Sequence, residues 1–487
     1  MTQENRMSPT HLHRISQALA ALCCVILMVA CGGAGELGSG GTGTGSSAAL
    51  GTVTGLGSVF VDGVRFDDSN AAVQIDNLTD TPDTTEAKLG QRVQLAFTFN
   101  GVDSLAQTVN IEPELVGAVD TLVSNGFVVL GQTVVINTDP VAGPVTQFDG
   151  GYTGLGDVQI SNLVEVHGVP RTTGSVTVIQ ATRVEKRIAP GYLRVVGVVS
   201  ALSKDGAQFS LGGLVVNASG AVRVPAGRAL ANDQSVVVLA SASGLQAGSG
   251  APVLTAGRVR IRERVNGPEQ AYVGGVVSNS VAATSFNLGG MAVNYDSATE
   301  ITPKGATLAN GAYVQVRGNF AADGSLSASR IKLRDGILDA ELRGTAIGYV
   351  ALAKTFTVRD VPVSAAGTNV IDSSCPADLS GVYVEVKGTL RLTGIVAASV
   401  KCSADPAPAG AVIERRGVAS VTPVEYATNS FTLTVDGAPL KVRWTPLTYF
   451  KDLARTRDSL DRTSLRVEGV LNKGTGVLIA TKIRLDH

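Results

Sequence analysis

The strongest constraint on this chain is the near-regular recurrence of one short signature, Gly-x-Val or Gly-x-Ala. It opens six segments, at Gly51-Thr52-Val53, Gly117-Ala118-Val119, Gly197-Val198-Val199, Gly275-Val276-Val277, Gly344-Thr345-Ala346 and Gly417-Val418-Ala419. Successive openings lie 66, 80, 78, 69 and 73 residues apart. Nine to fourteen residues after each opening, a Phe starts a second alternating run: Phe60, Phe127, Phe209, Phe286, Phe356 and Phe431. Self-similarity at a near-fixed period predicts an array of duplicated units. Each unit is long enough to bury a small core of its own.

The rest of the unit repeats as well. Leu89, Leu308 and Leu379 each lead through a Gly turn into a Val-rich run. A closing strand recurs as Ala181-Thr182-Arg183-Val184, Ala256-Gly257-Arg258-Val259, Ala328-Ser329-Arg330-Ile331 and Ala480-Thr481-Lys482-Ile483. Side chains alternate between the two faces of a strand, so the cation is expected to point outward, onto a solvated face that discourages edge pairing. With 57 Gly, 5% aromatics and 17% charged residues, short strands joined by tight turns fit better than helical bundles. The expected fold is all-β: a tandem array of small OB-like, Greek-key barrels or meander sheets, each of five or six strands. Expected boundaries are 51–114, 115–188, 189–264, 265–335, 336–408 and 409–487.

The opening stretch GTVTGLGSVFVDGVRF, the Leu-Gly turn and the closing strand resemble the DUF5666 family. That resemblance implies repeated β-rich domains in bacterial envelope lipoproteins, with no established activity and no catalytic residues to carry over. It is fullest in the first unit, and the fifth unit lacks the closing basic residue.

The N-terminus reads as an address. Arg6 and Arg14 precede thirteen unbroken apolar residues, Ala18 to Ala30. A spanning helix needs about twenty, so the run has the layout of a signal-peptide hydrophobic region over residues 1–30. It ends Met28-Val29-Ala30-Cys31-Gly32, which resembles the lipobox of bacterial lipoproteins although Leu is usual at the Met28 position. The resemblance implies lipidation of Cys31 and anchoring by buried acyl chains. Gly32, in place of the Asp of inner-membrane lipoproteins, implies the outer membrane, facing periplasm or cell surface. Residues 31–50 then form a Gly/Ser-rich tether, spanning roughly 25 Å as a random coil. In the oxidising compartment that this address implies, Cys375 and Cys402 are expected to form a disulfide.

Catalytic chemistry finds little purchase. Only His167 and His487 remain after the leader. His167 alternates with Val164 and Val166, which predicts a solvent-facing ring, and no Cys or His stands at ligand spacing. A metal site, a histidine triad and a bound cofactor are therefore not expected. The acids of the first unit (Asp62, Asp67, Asp68, Asp76, Asp80, Asp83) read as a solvated surface. Residues 51–114 carry three Lys/Arg and ten Asp/Glu, whereas residues 412–487 carry twelve and eight. The whole-chain net charge of −1 gives no reason to expect nucleic acid.

One ligand-binding candidate remains, in the last unit. Trp444, Tyr449 and Phe450 stand among Lys441 and Arg443, a mixture able to stack a planar ligand; packing of a short helix with Phe450 and Ala454 inward is the competing reading. The expected function is a non-enzymatic cell-envelope lipoprotein, a scaffold, spacer or adhesive element. Its partners would be the membrane, through the lipid anchor, and an envelope polysaccharide or protein. The alternative is a module that binds oligosaccharide or peptide on a barrel face of the last unit.

Overall fold

A computed structural model describes residues 47–487, apart from 69–70, 80–82, 86, 100–103, 174–175, 190, 247–249, 263–269, 290, 322–324, 334–339, 374, 403–411, 452, 454–455, 473–474 and 487. The regular secondary structure of the described residues is almost all strand, with two short α-helices, Pro423–Ala427 and Arg457–Leu460. The chain folds as six units that repeat one five-stranded plan, the first four with additional short strands.

The sixth unit shows the plan most simply. Its first three strands, Val412–Ser420, Ser430–Val435 and Ala438–Lys451, form an antiparallel meander. The third then runs parallel to the fifth, Val477–Leu485. The fifth pairs antiparallel with the fourth, Ser464–Asn472, which returns to the first and closes the barrel. The ring order is therefore first, second, third, fifth, fourth, the order of an OB-type barrel. The second unit closes identically through strands Leu115–Val123, Gly126–Val129, Gln132–Ile136, Leu163–Thr173 and Val176–Lys186. The fourth and fifth units repeat the same five pairings. In the first unit the third-to-fifth contact is a single parallel bridge, Asp67 to Leu105, and in the third unit the fifth strand is split at Val253–Thr255 and Arg258–Ile261. The signature Phe of the second strand packs inward in barrels 2 to 6.

A bulge recurs where the fourth strand crosses the fifth. The register shifts at His167/Gly168, Arg317/Gly318, Lys387/Gly388 and Glu468/Gly469, always within a Val-x-Gly triplet. The glycine is needed because the partner strand's carbonyl lies where a Cβ would sit, 2.1 Å away at Gly318 and 2.2 Å at Gly388. The bulge bends the strand around the small barrel and presents residue x outward. That outward slot holds His, Arg, Lys or Glu.

Barrels 1 to 5 are not beads on a string. The first strand of barrel 1, Ser47–Leu56, pairs in parallel with the first strand of barrel 4 at Ala48–Leu50 with Ala271–Val273. It also pairs in parallel with the first strand of barrel 5, at Gly55–Leu56 with Glu341–Leu342. Barrels 2 and 3 join through their own first strands, Leu115–Val116 against Arg194–Val195. Cores merge accordingly: barrels 1 and 5 share one apolar cluster, and barrels 2 and 3 share another. Among the described residues, barrel 6 pairs no strand with the others and keeps a separate core. Among the described residues strand pairing begins at Ser47, so the last four residues of the stretch read as tether belong to barrel 1. Their alternation, Ala49 inward and Leu50 against barrel 4, is strand-like despite the Ser/Ala composition.

Candidate functional site

The residues singled out in the sequence separate in space. Cys31 lies outside the described residues. Cys375 and Cys402 are joined by a disulfide with a Cα–Cα distance of 5.3 Å, tying the loop before Leu379 to the end of barrel 5's fifth strand. The proposed aromatic face of barrel 6 does not form. The segment around Trp444 is strand, not helix, and alternation sends Val442 and Trp444 inward while Lys441 and Arg443 point out. Trp444 is 3% exposed and packs against Phe431 and Phe450, with ring centroids 6.0 Å apart in each case. Phe450 is fully buried in the same core. Tyr449 pairs with Lys482 along the parallel ladder. Lys441 is held by Glu425 at 2.6 Å, in the capping box of the short helix, and the ion pair and hydrogen bonds there bring Glu425 down to about 2 against the cost of partial burial. Trp444 and Phe450, inward, are thus separated from Lys441 and Arg443, which point out, although all four look like one patch in sequence.

The polar chemistry lies instead at the junctions around barrel 1. The turn of its second hairpin, Asp62-Gly63, enters the space between barrels 1 and 4. Asp62 accepts a hydrogen bond from the Tyr313 hydroxyl at 2.7 Å and from the Thr52 amide at 3.3 Å. The carboxylate fits because Gly51 and Gly274 have no side chain. A Cβ on Gly274 would lie 1.8 Å from Asp62 Oδ2. Burial, reinforced by the charge of Asp62, pushes the Tyr313 phenol far above its usual range. Arg92 spans the same junction, donating to Thr52 Oγ1 at 3.2 Å and to the Gly274 carbonyl at 3.3 Å.

Barrel 2 closes the other side. The Arg92 amide donates to His167 Nδ1 at 3.2 Å, and His167 Nε2 meets Glu165 at 2.9 Å. His167 thus occupies the outward slot of its bulge but is fully buried, because barrel 1 covers that face. The expected solvent-facing histidine is corrected by this contact. Burial raises Glu165, and the His167 hydrogen bond with the Arg187 and Arg183 charges outweighs it, leaving the carboxyl below its usual range. Alongside, Lys88 reaches Asp149 at 3.0 Å and Glu185 at 3.1 Å. Arg183, the closing-strand cation expected in solvent, pairs with Asp149 and donates to the Leu89 carbonyl at 3.0 Å. It is buried at the junction of barrels 1 and 2.

A third junction neutralises the acids of barrel 1 with cations of barrel 3. Arg194 is fully buried, donates to the Pro113 carbonyl at 2.7 Å and pairs with Glu112 at 2.6 Å. Arg260 adds contacts to Glu112 at 2.9 Å and Asp76 at 2.7 Å. Burial disfavours the Glu112 charge, but Arg260, Arg194 and Arg262 together hold its pKa far below the ordinary carboxylate range. Asp62, Asp68 and Asp76 are accordingly junction residues or buried, not the solvated surface that their clustering suggested.

These junctions resemble no catalytic centre. Tyr313, His167 and Arg194 are sealed by packing, and among the described residues no group of three metal-ligating side chains converges. One open concavity is a groove of about 340 Å³ on barrel 5, between its second and third strands and the start of its fifth.

Two segments, 116–185 and 274–332, match the model of a domain of unknown function, DUF5666. They coincide with barrels 2 and 4, so the chain carries DUF5666 domains in tandem, and barrels 1, 3, 5 and 6 repeat their topology. No curated protein matches the chain.

Proposed function

We propose that this chain is a non-enzymatic lipoprotein of the bacterial envelope, whose barrels form a preassembled scaffold at the outer membrane. Five barrels locked through paired strands, merged cores and polar junctions carry this reading. Strongly shifted ionisable groups mark catalytic clefts when they line an opening, but structural ion-pair networks shift them equally well. Here the perturbed Glu112 carboxyl and Tyr313 phenol lie between barrels with their partners supplied by neighbouring copies. The chemistry of these groups is used up in assembly.

Lipidation at Cys31 supplies the anchor in this reading, and the following Gly/Ser-rich residues hold the barrels away from the bilayer. An envelope protein or polysaccharide would then meet the outer faces of the barrels. The aromatic ligand face in barrel 6 loses its support, because Trp444 and Phe450 fill that barrel's core. The test is metabolic labelling of the full chain with palmitate in a bacterial host. Wild type should take up label and sediment with outer membranes, and Cys31→Ser should do neither. An unlabelled wild type, or a labelled Cys31→Ser variant, would refute the anchor.

A further inference from the structure

We propose that barrel 5 carries a self-complementary docking face through which two copies of this chain associate. The face combines a knob and a hole. The hole is the 340 Å³ groove, lined by Thr355, Thr357, Pro362, Ser364, Thr393 and Val396 among others, with no charged side chain in its lining. The knob is Leu352, 99% exposed at the tip of the hairpin that joins the first and second strands, Ala340–Val350 and Thr355–Val358. That hairpin also forms one wall of the groove, through Gly348 and Thr355. Ile347, Val350, Leu392 and Val396 are exposed on the same barrel, which holds five of the fifteen exposed large apolar residues of the described chain. Apolar side chains gathered in this way mark an interaction surface, whereas scattered ones need no explanation.

Three observations select a second copy as the occupant. A two-fold interface requires one patch to complement itself, and a protruding leucine beside an apolar groove meets that requirement. The lining is neutral, so two copies bring no like charges together. The face also continues an interface already made within the chain. The carbonyl of Arg391, one residue before the Leu392–Thr393 turn, accepts a hydrogen bond from Gln147 of barrel 2 at 3.1 Å. Barrel 1 provides the precedent: Phe60, on its second strand, is covered by Arg343 of barrel 5, with the guanidinium 5.7 Å from the ring centroid. A barrel face carrying an apolar residue is thus already used to receive another barrel.

Sedimentation velocity of the full chain across a concentration series tests this. Wild type is expected to dimerise reversibly. Leu352→Asp should weaken the dimer by at least about 30-fold, the effect of losing one central apolar anchor. Val396→Lys, which places a charge in the groove, should weaken it similarly, and Ile188→Asp, at an exposed site on another barrel, should not. Leu352 lies in an exposed turn, and unchanged circular dichroism would establish that its variant is folded. A monomeric wild type, a dimer indifferent to Leu352→Asp, or a dimer sensitive to Leu352→Asp but not to Val396→Lys would each overturn the proposal.

Discussion

Replacing Arg194 with Ala should separate the stability of the barrel cluster from that of barrel 6. Arg194 is fully buried and makes three contacts at once: to the Pro113 carbonyl at 2.7 Å, to Glu112 at 2.6 Å and to Asp76 at 3.6 Å. Removing one partner of a buried pair costs about 3–5 kcal/mol, because the remaining charge stays buried. Here Arg260 and Arg262 still reach Glu112, at 2.9 and 3.3 Å. The lower end applies, about 3 kcal/mol. With a urea m-value of at least roughly 3 kcal/mol/M for a unit of this size, the unfolding midpoint should fall by up to about 1 M.

The chain supplies its own reporter for the comparison. Its single tryptophan, Trp444, sits in the core of barrel 6, so indole fluorescence follows that barrel alone. Far-ultraviolet circular dichroism follows the whole chain. In Arg194→Ala the circular dichroism transition should move to lower urea while the fluorescence transition stays in place. An unmoved circular dichroism midpoint would refute the junction as a source of stability. Equal movement of both would refute the independence of barrel 6. A double variant with Glu112→Gln should lose less than the sum of the single losses, since the two residues act as one unit.

Three further outcomes follow from the same geometry. Acidification should weaken the junction of barrels 1 and 3. The Glu112 pKa is depressed in the fold, so its stabilising contribution is present above the unfolded carboxyl value of about 4.3 and is lost progressively as pH falls from there towards the depressed folded value; denaturant midpoints at about pH 7 and about pH 3 should show a drop that Glu112→Gln reduces. Reducing the Cys375–Cys402 bond, which closes a separation of 27 residues, should destabilise barrel 5 by roughly 3–4 kcal/mol on the chain-entropy model, read as a dithiothreitol-dependent fall in melting temperature absent in the double serine variant. Gly274→Ala should force Asp62 out of its site at a cost of about 1–3 kcal/mol, visible as faster proteolysis between barrels 1 and 4, while Gly476→Ala in a turn of barrel 6, with open space around it but a positive φ, should leave that junction intact.

The barrels themselves were legible in the sequence. Periodicity of two, recurring Phe and Val positions and the closing-strand pattern are consequences of a small barrel that must fill its interior from alternate residues. The disulfide was legible because two cysteines stand in one unit. What alternation cannot reveal is the environment of the outward side chains. It sorts residues into barrel interior and barrel exterior, and it places His167 and Arg183 on the exterior, as the acidic cluster does Asp62. Equating exterior with solvent was the error, since a neighbouring barrel covers each of them. The patch around Trp444 failed for a related reason. Neighbours in sequence along a strand are not neighbours on a face, and Trp444 and Arg443 point in opposite directions.

The Val-x-Gly bulge shows how one duplicated unit can hold different positions in the cluster. The glycine and the valine are fixed by barrel geometry, one by the partner carbonyl and the other by the core. Residue x is free of both constraints, so it can adapt to whatever lies outside. In barrel 2 it is His167, buried against the Arg92 amide; in barrel 4, Arg317 lies 5.6 Å from the Tyr272 ring centroid; in barrel 5, Lys387 pairs with Glu385 at 3.1 Å; in barrel 6, Glu468 faces Lys482 at 3.7 Å. A buried imidazole held between a backbone amide and a carboxylate suits a slot sealed by another barrel, because a polar group there must have its hydrogen bonds made to offset its desolvation. Charged residues fill the slots whose partners lie on the same barrel's surface. Lys387 stands beside Glu341, on the side of barrel 5 where Arg343 meets Phe60 of barrel 1, which leaves the uncharged groove beside Leu352 as the face of that barrel suited to a partner.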